Sequence, residues 1–264
     1  MASTYIYAPN FADFEAQVQE TWNSGLGFRL VDLEYINDGW TGVFVDNKKA
    51  NAFDTNDEFA GLQEQIDARF DEGYDLVDLD YVDEKWVAVF DENTSEIQSS
   101  DYELALDLTE FAEDTQKQFD NGYSLTDVEY ANGNWVSVFG SDLGRSTYSV
   151  SDSLAEFKSA VTQQRAEGYD LIGVEYAEDS WVSVFAEDAS SSTKYAIAED
   201  TDEFFEKFEA RTNEGYDLID FEQIDNIYLG IYEKADSSSS EAFRTLTELG
   251  LTEALVDLSA SNPT

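Results

Sequence analysis

The chain contains no cysteine and no histidine. Disulfides and thiolate metal sites are therefore excluded, as are Ser-His-Asp and Cys-His nucleophile systems, imidazole acid–base chemistry and the usual zinc sites. Basic residues are scarce: 14 Lys+Arg stand against 58 Asp+Glu, a formal charge of −44 over 264 residues. A surface of that sign repels phosphate backbones, so neither nucleic acid nor anionic membrane is an expected partner. Cations, basic proteins and neutral sugars are compatible with it. No stretch approaches the roughly 20 apolar residues that span a bilayer. Residues 1–10 lack the basic and apolar regions of a cleavable signal peptide, so a soluble chain is expected. A GxxxxGKS/T phosphate loop, a GxGxxG fingerprint and a D-x-D/N-x-D/N-G calcium loop are also missing.

What the sequence does have is apolar: 42% hydrophobic and 14% aromatic residues, too many for a disordered acidic chain. Self-repulsion destabilises a compact state of this charge, and salt screens it, with a Debye length of about 3 Å at 1 M. An acid-rich, lysine-poor composition thus fits the cytoplasm of a salt-adapted cell. It also resembles the composition of cysteine-free cargo exported without a cleavable signal by a type I route.

The chain repeats itself. GFRLVDLEYINDGWTGVF from Gly27, GYDLVDLDYVDEKWVAVF from Gly73, GYSLTDVEYANGNWVSVF from Gly122, GYDLIGVEYAEDSWVSVF from Gly168 and GYDLIDFEQIDNIYLGIY from Gly215 align without gaps. Each segment predicts a hairpin, with β-forming runs on either side of turn clusters such as Asn37-Asp38-Gly39 and Asn132-Gly133-Asn134. Its second arm is apolar at consecutive positions (Trp86 to Phe90), the pattern of a strand buried on both faces. A helix precedes each hairpin, marked by Phe14 and Val18, by Phe59, Leu62 and Ile66, by Leu154, Phe157 and Val161, and by Phe204 and Phe208. Asp or Ser-Asp clusters open these helices, and the glycine that starts each hairpin sits where a left-handed cap belongs. A short strand comes before each helix, at residues 4–7, 50–53, 102–106, 147–150 and 194–198.

The expected fold is an α/β repeat of five β-α-β-β units over residues 1–234, with units at 3–46, 47–93, 94–142, 143–188 and 189–234. Two architectures suit such units: a closed five-bladed α/β propeller and an open half-barrel solenoid. Closure is favoured, because neither end carries a polar capping repeat and the strand at residues 4–7 would complete the last blade. Residues 235–240 read as a Ser-rich linker, and 241–264 as a weakly amphipathic C-terminal helix and tail. That helix is a place for a protein partner or for self-assembly.

Two columns run through the alignment. Glu34, Asp80, Glu129, Glu175 and Glu222 share one position in the first hairpin strand. With acids at about one residue in five, an all-acidic column arises by chance roughly once per hundred such alignments. Asp32, Asp78, Asp127 and Asp220 sit two residues earlier on the same strand face, with Gly173 the exception. On a ring, the five-residue column would form a circle of carboxylates able to hold a hard cation such as Ca²⁺, which takes six to eight oxygens. A solvated strand face in a very acidic protein is the simpler explanation. The aromatic column Trp40, Trp86, Trp135, Trp181 and Tyr228 reads as core between repeats, since a small residue follows two positions later each time. The tyrosine column Tyr35, Tyr81, Tyr130 and Tyr176 reads the same way.

Gly168-Tyr169, Leu171, Trp181 and Val184-Phe185, with their equivalents, form a helix–GY–hairpin pattern covering roughly 230 residues. It resembles the repeat region that follows the kinase domain in plant casein-kinase-like proteins, and bacterial tandem-repeat domains. That resemblance implies a repeat scaffold and brings no catalytic residue with it. Five units of three strands and a helix are also similar in outline to the pentein propellers, whose guanidine chemistry needs the Cys and His missing here. The expected function is a non-catalytic acidic scaffold or binding protein, cation-stabilised, in a high-salt or extracellular setting. A carboxylate-dependent enzyme acting on glycans and a subunit of a structural assembly are the alternatives.

Overall fold

A computed structural model describes residues 3–36, 39–46, 50–92, 100–187, 193–224 and 227–234. The expected linker and C-terminal helix lie outside the described residues, as do the tips of the first and fifth hairpins. The first repeat comprises β1 (Ser3–Ala8), α1 (Phe11–Asn23), β2 (Phe28–Ile36) and β3 (Gly39–Asp46). The second is β4 (Asn51–Asn56), α2 (Phe59–Asp71), β5 (Tyr74–Val82) and β6 (Lys85–Glu92). The third is β7 (Ser100–Ala105), α3 (Leu108–Asp120), β8 (Tyr123–Ala131) and β9 (Asn134–Ser141). The fourth is β10 (Ser146–Ser151), α4 (Leu154–Glu167), β11 (Tyr169–Ala177) and β12 (Ser180–Glu187). The fifth is β13 (Thr193–Ala198), α5 (Thr201–Asn213), β14 (Tyr216–Ile224) and β15 (Ile227–Lys234). No helix among the described residues is long and apolar enough to cross a membrane.

Local chemistry explains these boundaries. Asn10, Asp107, Ser153 and Asp200 each cap a helix by accepting from a backbone N–H in its first turn. Replacing such a cap typically costs about 1 kcal/mol. In the last three repeats a glutamate three residues past the cap reaches back: Glu110 to Leu106 N, Glu156 to Asp152 N and Glu203 to Glu199 N. Each helix is followed by a glycine at positive φ, from 78° at Gly27 to 92° at Gly168, which stops it and starts the hairpin. The tight turns have both central residues at positive φ, as at Asn132-Gly133 and, without glycine, at Asp83-Glu84 and Glu178-Asp179.

Every repeat folds into its own three-stranded antiparallel sheet, with the last strand in the middle: β1-β3-β2, β4-β6-β5, and so on. This corrects the expected strand exchange. The strand at residues 4–7 belongs to β1 and pairs with β3 of its own repeat, Tyr5 opposite Val43, and does not complete the last blade. The unit already satisfies its central strand on both sides, so no edge of β3 is left to draw β1 elsewhere.

The first arm of every hairpin carries a β-bulge, between Leu30 and Asp32, Leu76 and Asp78, Leu125 and Asp127, Leu171 and Gly173, and Leu218 and Asp220. One extra residue resets the alternation of faces. In the second repeat Leu76, Leu79 and Tyr81 then stand opposite Phe90, Ala88 and Trp86, on the helix side. Asp78 and Asp80 stand opposite Val89 and Val87, on the other side.

The helix side is the core of each repeat. Trp40, Trp86, Trp135, Trp181 and Tyr228 are all buried, against Phe14, Phe59, Phe111, Phe157 and Phe204 at ring separations of 4.6–6.3 Å. The tyrosine column is less enclosed than expected. Its rings lie 5.1–6.3 Å from those of the cross-strand tryptophans, but Tyr35 is 39% exposed and the others are half-buried, because they sit one pair from the hairpin turn. The small-residue column has a steric cause: a Cβ on Gly42 would come within 2.8 Å of Leu30 Cδ1 and 3.1 Å of Phe14 Cε2.

The chain divides into two compact units, one of Met1–Lys49 with Lys194–Thr264 and one of Ala50–Thr193. Within the second unit, Val136 and Val138 of β9 join Leu62, Ile66, Leu79 and Trp86 in the core of the second repeat. Val182 and Val184 of β12 likewise join Phe111, Leu125 and Trp135. Within the first unit, Val43 of β3 joins Phe204, Phe208, Leu218 and Tyr228 of the fifth repeat.

Ser183 occupies the small-residue position in β12, fully buried, with its hydroxyl lacking any hydrogen-bond partner among the described residues. Ser183→Ala removes an unsatisfied group, so stability is expected to hold or rise by up to about 1 kcal/mol. Ser183→Leu should cost about 1–3 kcal/mol by overpacking. Denaturant melts of both variants check this, and a loss above about 0.5 kcal/mol in Ser183→Ala would contradict it.

Candidate functional site

The two acidic columns lie on the first hairpin strands, on the sheet face turned away from the helix. That face is not solvated, which corrects the simpler explanation offered by sequence. Asp80 and Glu129 are 9% exposed, Glu175 7% and Glu222 8%, while Glu34 is partly buried. The cause is the packing of neighbours. In the second unit β8 runs beside both β5 and β11, and in the first unit β14 runs beside β2. In the third and fourth repeats the valines opposite this strand face enter the core of the preceding repeat and draw the carboxylates in with them.

Within the second unit one group of carboxylates converges. Asp78 of β5 with Asp127 and Glu129 of β8 offers three oxygens all within 4.8 Å of one another. Of the five residues singled out from sequence, the structure brings Glu129 into this group and places Asp80 close enough to Asp127 for their charges to interact. Glu175 lies on β11 of the same unit, outside the group, and Glu34 and Glu222 belong to the other unit. Asp78 and Asp127 are the members the five-residue column omitted. Their signal was present in the sequence as the second acidic column, on the same face two residues earlier.

Burial dominates the electrostatics here. It pushes Asp80 up to about 7, with the negative charge of Asp127 adding to the rise and a hydrogen bond from Tyr81 N opposing it. Burial likewise pushes Asp127 up to about 7, against a hydrogen bond from Val128 N. Asp127 Oδ2 is sealed from solvent and has no hydrogen-bond partner among the described residues. In the first unit the equivalent residue is served differently: Asp32 Oδ2 accepts from Phe221 N at 3.1 Å. Buried polar atoms are nearly always partnered, so the two repeats differ in kind at this position.

Chemically, such a cluster can hold a proton, hold a cation or act as an acid–base pair. No protein-family model matches the chain, and no curated protein matches it significantly.

An acid whose folded pKa lies above its unfolded value near 3.8 binds more protons folded than unfolded. Its contribution is therefore most favourable below about pH 4 and is lost as the pH rises toward 7. Asp80→Asn removes that loss. In chelator-treated protein its melting temperature should exceed that of the native chain by about 3 °C or more at pH 8, the shift expected of roughly 1 kcal/mol, and by less at pH 5. An advantage that is equal at both pH values would show that Asp80 does not titrate in this window.

Proposed function

We propose that this chain is a non-catalytic acidic repeat scaffold or binding protein, stabilised by cations and suited to a high-salt or extracellular setting. The observation that carries this reading is the burial of carboxylates on the first hairpin strands of a chain already at −44. Enclosed negative charges repel one another with little water to screen them, and each proton or cation they take up relieves that repulsion. The resemblance of the helix–GY–hairpin pattern to known repeat regions points the same way. The glycan-enzyme alternative gains nothing from the same observation, because the acids that converge are enclosed where a sugar has no access.

The reading is tested by melting the chelator-treated chain in KCl from 0.1 to 2 M. The melting temperature should climb by about 5 °C or more as the Debye length shrinks from about 10 Å to below 3 Å. A flat profile would remove the salt-adapted scaffold.

Closure into a five-bladed α/β propeller is part of the same proposal. It is supported by the regular order in which back-face valines enter foreign cores: third into second, fourth into third, and first into fifth. An open array has no reason to join its first repeat to its last. Solution scattering from residues 1–234 should give a radius of gyration near 17–18 Å, about that of a compact body of this length. A markedly larger, rod-like profile would support the half-barrel solenoid.

A further inference from the structure

We infer that Asp78, Asp127 and Glu129 form a single discrete site for a hard divalent cation, Ca²⁺ by preference, where β5 and β8 meet. The inference rests on the cation-stabilised reading above and gives it an address.

Geometry is the first support. Ca²⁺–oxygen distances of about 2.3–2.6 Å put ligands on opposite sides of one ion about 4.6–5.2 Å apart. Three oxygens within 4.8 Å of one another therefore fit inside one coordination shell. They come from two repeats, so the ion would tie β5 to β8. Calcium is favoured over magnesium because Ca²⁺ accepts irregular shells completed by water, whereas Mg²⁺ demands a near-ideal octahedron.

The second support is independent of the clustering. Asp127 Oδ2 is sealed and partnerless, and no basic side chain pairs with Asp127 among the described residues. The residue keeps some exposure, which lies on atoms other than Oδ2. Its counterpart Asp32 gives the same oxygen to a backbone N–H. Asp127 thus accepts from Val128 N while its Oδ2 has no hydrogen-bond partner among the described residues. A carboxylate oxygen in that condition destabilises the fold unless a ligand takes it up.

Among the described residues no second group of three acids converges in this way. At the corresponding place between the third and fourth repeats, Gly173 stands where the second repeat pair has Asp127, so one ligand is missing. Asp220, Asp32 and Glu34 share the first unit, but they do not converge as a group of three among the described residues. Among the described residues, the acids that converge as a group of three are Asp78, Asp127 and Glu129, of which Glu129 belongs to the five-residue column.

A proton shared among the same oxygens is the competing occupant, and the experiment separates the two. The full chain is stripped with chelator, held in 1 M KCl at pH 7.5 to suppress diffuse attraction to the surface, and titrated with CaCl₂ by calorimetry. One saturable site per chain is expected, weakened at least tenfold in Asp127→Asn and in Glu129→Gln, and unchanged in Glu113→Gln, an exposed helix acid. Circular dichroism verifies folding of each variant. Should Asp127→Asn fail to fold, Glu129→Gln and Asp78→Asn carry the same comparison. Absence of saturable binding to the native chain overturns the inference, as does equal affinity in all folded variants. If calcium binding is absent while KCl still raises the melting temperature, the site alone falls. If the site binds while melting ignores KCl, the scaffold reading falls and the site stands.

Discussion

The β-bulge in the first arm of each hairpin is the constraint on which the remaining features depend. Without it, Leu76 and Asp78 would share a face, and either a leucine would leave the core or an aspartate would enter it. With one residue inserted, Leu76 and Leu79 both meet the helix, while Asp78 and Asp80 both turn away from it. The same shift recurs in all five repeats, which is why two acidic columns run parallel through the sequence. The bulge converts a strand that could be half-buried in only one sense into one that separates leucine from acid cleanly.

Once the acids share a face with the valines of the central strand, their environment is settled by those valines. Burying a valine side chain is worth about 1.5–3 kcal/mol, and in the second unit two back-face valines of the third repeat and two of the fourth enter a neighbouring core. That gain offsets the cost of enclosing carboxylates beside them, provided the carboxylates are not all charged. The raised pKa values of Asp80 and Asp127 follow from this competition, and so does the opening for a cation.

Much of this was legible in the residues. The gapless alignment at Gly27, Gly73, Gly122, Gly168 and Gly215 gave the repeat, the helix caps and the order of elements. The tryptophan column, buried throughout, followed from the small residue two positions later. The bulge was legible too, in Leu76 and Leu79 three apart within a strand, where a period of two predicts a different spacing. The solvated face was misread because periodicity along one strand reports which residues share a face, and nothing about what covers it. The same limit hid the pairing of Asp78 with Asp127, since the register between repeats is set by Val136 and Val138 docking on another repeat's core. The strand at residues 4–7 was misplaced for a related reason: the order of strands within a sheet depends on which one lies in the middle, and consecutive order in the chain does not say.

Equivalent folds need not carry equivalent chemistry, and the repeats differ where it matters. Asp32 and Asp127 occupy the same alignment position, yet Oδ2 of the first meets Phe221 N and Oδ2 of the second has no hydrogen-bond partner among the described residues. Gly173 removes the acid altogether, and Gln223 replaces the tyrosine of the other hairpins. A repeat protein can vary such positions freely, because the caps, the bulge and the aromatic core are held by other residues. Specific chemistry can therefore sit at one junction between repeats without being repeated at the others. A symmetric ring of charged ligands would add repulsion at every junction, whereas a single cluster confines it to the one place where a bound proton or cation can relieve it.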